Sequence, residues 1–163
     1  MGSVNGPGFA RARAPIGNAQ EPVRVAVERL SDLDFGRLAK LGVRSGSVTI
    51  EAQSGNRTVE GGLEFLSGQA HRARFEITGQ PGARLRIQLP SNLRIYSSRQ
   101  QGTSIRVHKL RYEIDNNGII DSDGKTTVWV GGTLVVAKTT PPGDYRGFFR
   151  IRATYDDLPK LGR

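Results

Sequence analysis

Short runs of alternating apolar and polar residues, separated by glycine-rich turns, constrain this chain more than any other feature. Residues 73–78 and 83–89 alternate throughout, and side chains with a period of two lie on opposite faces of a β-strand. Between these runs, Pro81 and Gly82 supply the backbone angles of a tight turn. The pattern predicts that the two runs pair as a hairpin.

The last alternating run, residues 145–155, predicts one long strand whose two faces differ in polarity. Phe149 and Ile151 are on the face that we expect to contact the core. Phe148 and Arg150 are on the opposite face, which we expect to contact water.

About eight such runs, spaced roughly 8–12 residues apart, are typical of an all-β sandwich or barrel. Residues 23–27 place valine at every second position and predict a half-buried first strand. Because the strands and turns are uneven in length, we favour a sandwich over a barrel. The expected fold class is an immunoglobulin-like antiparallel β-sandwich.

Two irregularities interrupt the alternation in the second half of the chain. The apolar phase slips by one residue between Val107 and Leu110, which indicates either a β-bulge or a break between two strands. Gly131 and Gly132 interrupt the β-prone run 126–136 and indicate a kink or a bulge there.

The chain length and composition predict one domain with two tails. At 163 residues it is long enough to bury a substantial core. We expect a flexible N-terminal arm over residues 1–20, a sandwich domain over 21–157 and a C-terminal tail over 158–163. The chain contains no cysteine, which excludes disulfides, cysteine zinc sites and cysteine nucleophiles.

The chain is strongly basic, with 24 Lys and Arg residues against 15 Asp and Glu residues and a net charge of +9. Such a surface is either merely solvated or binds an anionic partner. Alternation places several arginines on the outer faces of strands, where neighbouring strands could align them. The candidate anion-binding residues are Arg72, Arg74, Arg84, Arg86, Arg150 and Arg152. An acidic polysaccharide is the favoured ligand, and nucleic acid is less favoured.

Trp129 is the single tryptophan and lies out of phase with its apolar neighbours Val128 and Val130. It is therefore expected to face outward while they face inward. Two roles remain open for it: stacking on a sugar ring, in a platform with Tyr96, Tyr112, Tyr145 and Tyr155, or closing one end of the core.

No catalytic or metal-binding residues emerge from the sequence. His71 and His108 are the only histidines, and neither has a local serine and carboxylate for hydrolysis or enough ligands for zinc. Asp121 and Asp123 resemble the start of a calcium loop but lack the later bidentate carboxylate, so plain turns explain them. We expect neither enzymatic activity nor a cofactor.

Several motifs in a fixed order resemble the DUF4402 family, and the resemblance covers roughly residues 22–157. The motifs are Leu33-Asp34-Phe35-Gly36, Gly61-Gly62, residues 73–83, Ile87-Gln88-Leu89-Pro90, residues 130–136 and Pro142-Gly143-Asp144-Tyr145-Arg146-Gly147. The resemblance implies a secreted bacterial domain, similar to pilin-like and immunoglobulin-like surface domains, without catalytic residues. This chain is more basic than typical members.

Two functions are therefore expected. The first is a non-enzymatic, secreted or cell-surface structural or adhesion protein. It would be a pilin-like fimbrial subunit that self-associates through its N-terminal arm, with strand exchange as the expected route. The alternative is a basic binding module for an acidic polysaccharide or nucleic acid. The location assumes that a signal peptide has been removed. No stretch is apolar enough to span a membrane.

Overall fold

The computed structural model of the protein describes residues 23–156, and this part of the chain is all-β. Its strands are β1 Ala26–Ser31, β2 Arg37–Lys40, β3 Gly46–Ile50, β4 Arg57–Gly61, β5 Leu63–Ser67, β6 Ala73–Thr78, β7 Leu85–Gln88, β8 Leu93–Ser97, β9 Ser104–Ile114, β10 Lys125–Val136, β11 Tyr145–Arg146 and β12 Arg152–Tyr155. A 3₁₀ turn, Asp115–Gly118, connects β9 to the segment before β10.

One large antiparallel sheet contains most of the strands, in the order β1-β6-β10-β9-β8-β11. Strand β10 is its centre, because it pairs along one edge with β9 and along the other with two strands in succession. Residues 125–130 pair with β6, and residues 132–136 pair with β3, which in turn pairs with β4.

Two smaller antiparallel sheets, β7–β12 and β2–β5, complete the fold. The large sheet buries Ile77 and Val128, and β7 buries Leu85 and Ile87, in the same apolar cluster. Because the large sheet and the β7–β12 sheet turn their apolar sides to one core, the polar sides of these two sheets face apart. The antiparallel β-sandwich expected from the sequence is confirmed, and its immunoglobulin-like character stays a prediction.

The hairpin predicted for β6 and β7 is wrong. Strand β6 pairs with β1 and β10, whereas β7 pairs with β12. The backbone of the connecting turn bonds elsewhere: the Gly79 amide donates to the Gly124 carbonyl at 2.9 Å, and the Gly82 amide donates to the Ile120 carbonyl at 2.8 Å. These bonds direct the chain from the large sheet to the small one.

The prediction of one long strand over residues 145–155 is also wrong, because these residues form two strands in different sheets. Strand β11 pairs with β8 in the large sheet, and β12 pairs with β7 in the small one. The predicted alternation nevertheless persists through the crossing: Phe149 is half-buried and Phe148 is exposed. One alternating run can thus serve two sheets that share a core.

The irregularity after Val107 is a β-bulge within the continuous strand β9. The register against β10 shifts between Gly131 and Thr133, whose partners are Arg111 and His108, so β9 carries one extra residue. Lys109, at this point, has a φ of 54°. The bulge expected near Gly131 and Gly132 therefore lies on the strand that pairs with them.

The first strand begins later and is more exposed than expected. Strand β1 starts at Ala26, and Val27 is 40% exposed. Among the described residues, β1 pairs with β6 alone and lies at the edge of the large sheet, and side chains on both of its faces are exposed. The arm predicted for residues 1–20 and the tail predicted for 158–163 lie outside the described residues.

Candidate functional site

Trp129 lies on the outer face of the large sheet, as its phase predicts. Its neighbours Val128 and Val130 are completely buried, so its indole points away from the core. Two arginines cover it: the Arg72 guanidinium lies 3.8 Å from the ring centroid, and that of Arg74, its register partner on β6, lies 5.3 Å away. The structure therefore brings three of the predicted site residues together in a cation–π cluster.

Arg72 also has a structural role in this cluster. Its Nη1 donates to the carbonyls of Ala52 at 2.7 Å and Gln53 at 2.8 Å, which ties the β3–β4 turn to the sheet. A sugar stacking on the covered face of Trp129 would have to displace this anchored guanidinium. Sugar stacking at Trp129 stays a prediction.

A shallow groove of about 430 Å³ opens beside this cluster, lined in part by Ser31, Gln69 and His71. Its surroundings carry both charges, because Glu113 on β9 is the register partner of Trp129. Arg72 and Arg74 are the charged side chains that line the groove itself, and Glu113 lies outside the lining.

The other four predicted arginines lie on or beside the small sheet, away from Trp129. Arg86 and Arg152 belong to β7 and β12, while Arg84 and Arg150 come just before these strands. Two of the four are already engaged: Arg86 pairs with Asp156 at 2.8 Å, and Arg84 Nη1 donates to the Asn117 carbonyl at 2.9 Å. The six arginines therefore occupy two outer faces that point apart.

A third group, of which the sequence reasoning named only Tyr96 as a candidate site residue, lies at the other end of the large sheet. We call it the edge surface and define it as Arg94, Tyr96, Arg106, Arg146 and Phe148. All five are exposed. Arg94 is the register partner of Arg106, and Arg146 is the register partner of Tyr96.

The edge surface is positively charged without compensation. Directly opposed side chains on antiparallel strands lie about 5 Å apart at Cβ, and like charges there are destabilising. Within residues 23–156, no carboxylate lies within ion-pair distance of Arg94 or Arg106. The one side-chain bond of this pair joins Arg94 Nη1 to Ser104 Oγ at 3.0 Å. Arg111 continues the cationic row along β9.

A signal for this surface was present in the sequence. Apolar residues stand at every second position in residues 93–95 and 105–107, which is typical of two short strands. The intervening residues, Arg94 and Arg106 among them, must then face outward. Their alignment could not be read without the register of β8 on β9.

Tyr145 anchors the strand that carries Arg146. Its hydroxyl donates to the Pro141 carbonyl at 2.6 Å, an upstream bond like that of a tyrosine corner. Burial raises the pKa of the Tyr145 hydroxyl above its usual range, because an apolar setting disfavours the charged phenolate.

The turns that resembled a calcium loop contain local hydrogen bonds. Asp123 Oδ1 accepts from the Lys125 amide at 3.3 Å, and Asp121 Oδ1 accepts from Asn116 Nδ2 at 3.4 Å. In the part of the chain that the structure describes, no three His, Cys, Asp or Glu side chains cluster as metal ligands would. Residues 23–156 also include no helix long and apolar enough to cross a bilayer.

Comparison with known families identifies one match. The family model described as "Domain of unknown function (DUF4402)" matches residues 25–155. The chain belongs to the DUF4402 family. The resemblance read from the sequence motifs is thereby confirmed, and the match covers both the Trp129 cluster and the edge surface. Searches of curated proteins and of solved structures found no match.

Proposed function

We propose that this DUF4402 protein is a non-catalytic extracellular binding module whose edge surface holds an acidic polysaccharide. The observation that supports this most is the cross-strand pair Arg94–Arg106, which has no carboxylate partner among the described residues. Such a pair lowers stability in the free protein. An anionic ligand would relieve the repulsion, so the pair favours binding over a purely structural surface.

The overall charge supports the same proposal. The chain carries a net charge of +9, which raises the local concentration of polyanions and accelerates their association. The charge is focused where Arg94, Arg106 and Arg146 lie on adjacent strands, with Arg111 further along β9. A linear polymer could follow this row across the strands.

Self-association through the N-terminal arm has less support. Ile77, Val128 and Val130 are fully buried, so these central positions leave no gap for a donated strand. The arm itself lies outside the described residues. The pilin-like, fimbrial role stays a prediction, and the edge of β1 is where a partner strand could pair.

The double substitution Arg94→Gln with Arg106→Gln tests the proposal. We expect the unsubstituted protein to bind a soluble polyuronate with an affinity that falls as salt rises, because binding releases counterions. The double variant should bind more weakly, with a slope of log K against log salt that is lower by about one to two units. Isothermal titration calorimetry at several salt concentrations measures both quantities.

Arg86→Gln with Arg152→Gln is the matched control, because it removes the same charge from the outer face of the small sheet. This control should retain nearly all of the affinity. An equal loss in both double variants would show that only net charge matters and would overturn the assignment of the edge surface. Failure of the unsubstituted protein to bind polyuronate would overturn the proposed function.

A further inference from the structure

Two aromatic side chains of the edge surface are exposed to an unusual degree. Phe148 is 87% exposed, more than the other large apolar side chains of residues 23–156, and Tyr96 is 52% exposed. A single exposed apolar residue needs no explanation. Two exposed aromatics beside three arginines combine ring faces that can stack on a ligand with cations that can pair with its charge.

The fold holds Phe148 in this exposed position. On its N-terminal side, Tyr145 pairs with Ser97 of β8 and bonds to Pro141. On its C-terminal side, Phe149 points inward, and its ring meets Phe75 edge-on, with the centroids 6.0 Å apart at 72°. Phe148 must point outward between these two anchors, so little backbone freedom remains to be lost there on binding.

The charges lie directly beside the aromatics. Arg146 is the register partner of Tyr96. Gly147 packs so closely on β8 that a Cβ atom there would lie 2.7 Å from the Arg94 carbonyl oxygen, which places Phe148 next to Arg94. Each exposed aromatic residue therefore has an arginine at the adjacent position of the neighbouring strand.

We propose that Phe148 and Tyr96 stack on the pyranose rings of a polyuronate while Arg94 and Arg146 bind the carboxylates of the same rings. This inference rests on the proposed function and names its ligand class. The C–H face of a pyranose carries partial positive charge and packs on the negative face of an aromatic ring. In a uronate the carboxylate is bonded directly to the pyranose ring. A ring stacked on one of the aromatic residues would therefore place its carboxylate close to the neighbouring arginine. In a nucleotide the phosphate is a whole sugar away from the stacked base.

Phe148→Ala and Tyr96→Ala test the stacking. Stacking is independent of counterions, whereas arginine contacts are not. Each alanine variant should therefore lose about tenfold in affinity for a polyuronate oligosaccharide, by the same factor at every salt concentration. The slope of log K against log salt should stay unchanged. Calorimetry on the full chain measures both, and the circular dichroism spectrum should remain that of the unsubstituted protein, since both side chains are exposed.

Val43→Ala is the matched control, because Val43 is 81% exposed and lies outside the edge surface. The affinity of this variant for the polyuronate should equal that of the unsubstituted protein. If polyuronate binding still depends on Arg94 and Arg106 but ignores both aromatics, the stacking inference is overturned while the proposed function stands. If a single-stranded oligonucleotide binds more tightly than the polyuronate and loses the same tenfold, the ligand class is overturned. Absence of any polyuronate binding overturns both proposals.

Discussion

At the scale of single residues, close contact between backbone segments requires glycine at positions where the apolar–polar pattern would accept other residues. Gly131 is the clearest example. It is buried where β10 crosses from β6 to β3, and a Cβ atom there would overlap the Ile50 carbonyl oxygen and lie 2.6 Å from the Ala52 nitrogen. Only glycine fits against backbone atoms that cannot move independently.

Gly131→Ala should lower the free energy of unfolding by about 3 kcal/mol, because the obstruction consists of backbone rather than a flexible side chain. Gly132→Ala is the matched control. Its new methyl group would meet the side chains of Leu110 at 3.1 Å and Val107 at 3.2 Å, which can shift, so we expect a loss of about 1 kcal/mol. Urea denaturation measures both, and equal losses would contradict this explanation.

At the scale of elements, the bulge in β9 sets which side chains face outward. In a regular strand, Arg106 and Arg111 would lie on opposite faces, because their numbers differ by five. The extra residue of the bulge puts both side chains on the same face. The conformation is strained, because Lys109 has a φ of 54° and a Cβ atom is disfavoured there. The bulge therefore extends the cationic row beyond the point where strict alternation would end it.

Lys109→Gly should raise the free energy of unfolding by roughly 0.5–1 kcal/mol, because glycine adopts positive φ without steric cost. Arg111→Gly, in the regular part of the same strand, should lower it by a similar amount. Thermal and urea unfolding compare the two variants. A loss of stability in Lys109→Gly would show that the bulge is held by the lysine side chain rather than tolerated in spite of it.

At the scale of the whole molecule, the crossing between β11 and β12 connects the two sheets. Tyr145 begins this crossing in the large sheet, and Tyr155 ends it in the small one. Because one continuous segment contributes to both layers, loosening its anchor at Tyr145 should weaken the whole sandwich.

The raised pKa of Tyr145 makes this weakening depend on pH. A tyrosine whose folded-state pKa is raised contributes stability that is fully present below its unfolded pKa of about 10 and is lost as pH rises through the folded value. Tyr145→Phe also removes the bond to Pro141, so it should cost about 1 kcal/mol at neutral pH. The difference between the two proteins should shrink above about pH 10, as measured by urea denaturation from pH 7 to 11. A difference that stays constant across this range would contradict the assigned shift.

The sequence by itself determined the all-β class and, for most strands, which side chains face the core. Alternation correctly placed Val128 inside and Trp129 and Phe148 outside, because a period of two follows from the geometry of a single strand. It located the irregularity after Val107 without deciding between a bulge and a strand break. It also carried the family motifs. Only the tertiary structure decided which strands pair. The run at residues 83–89 left its neighbour for β12, and the last run divided between two sheets, since hydrogen bonds from Gly79 and Gly82 to a distant segment outweigh closeness along the chain. Pairing also decided the site: Arg94 and Arg106 meet through register on adjacent strands, whereas Arg72 and Arg86, equally prominent in the sequence, face apart.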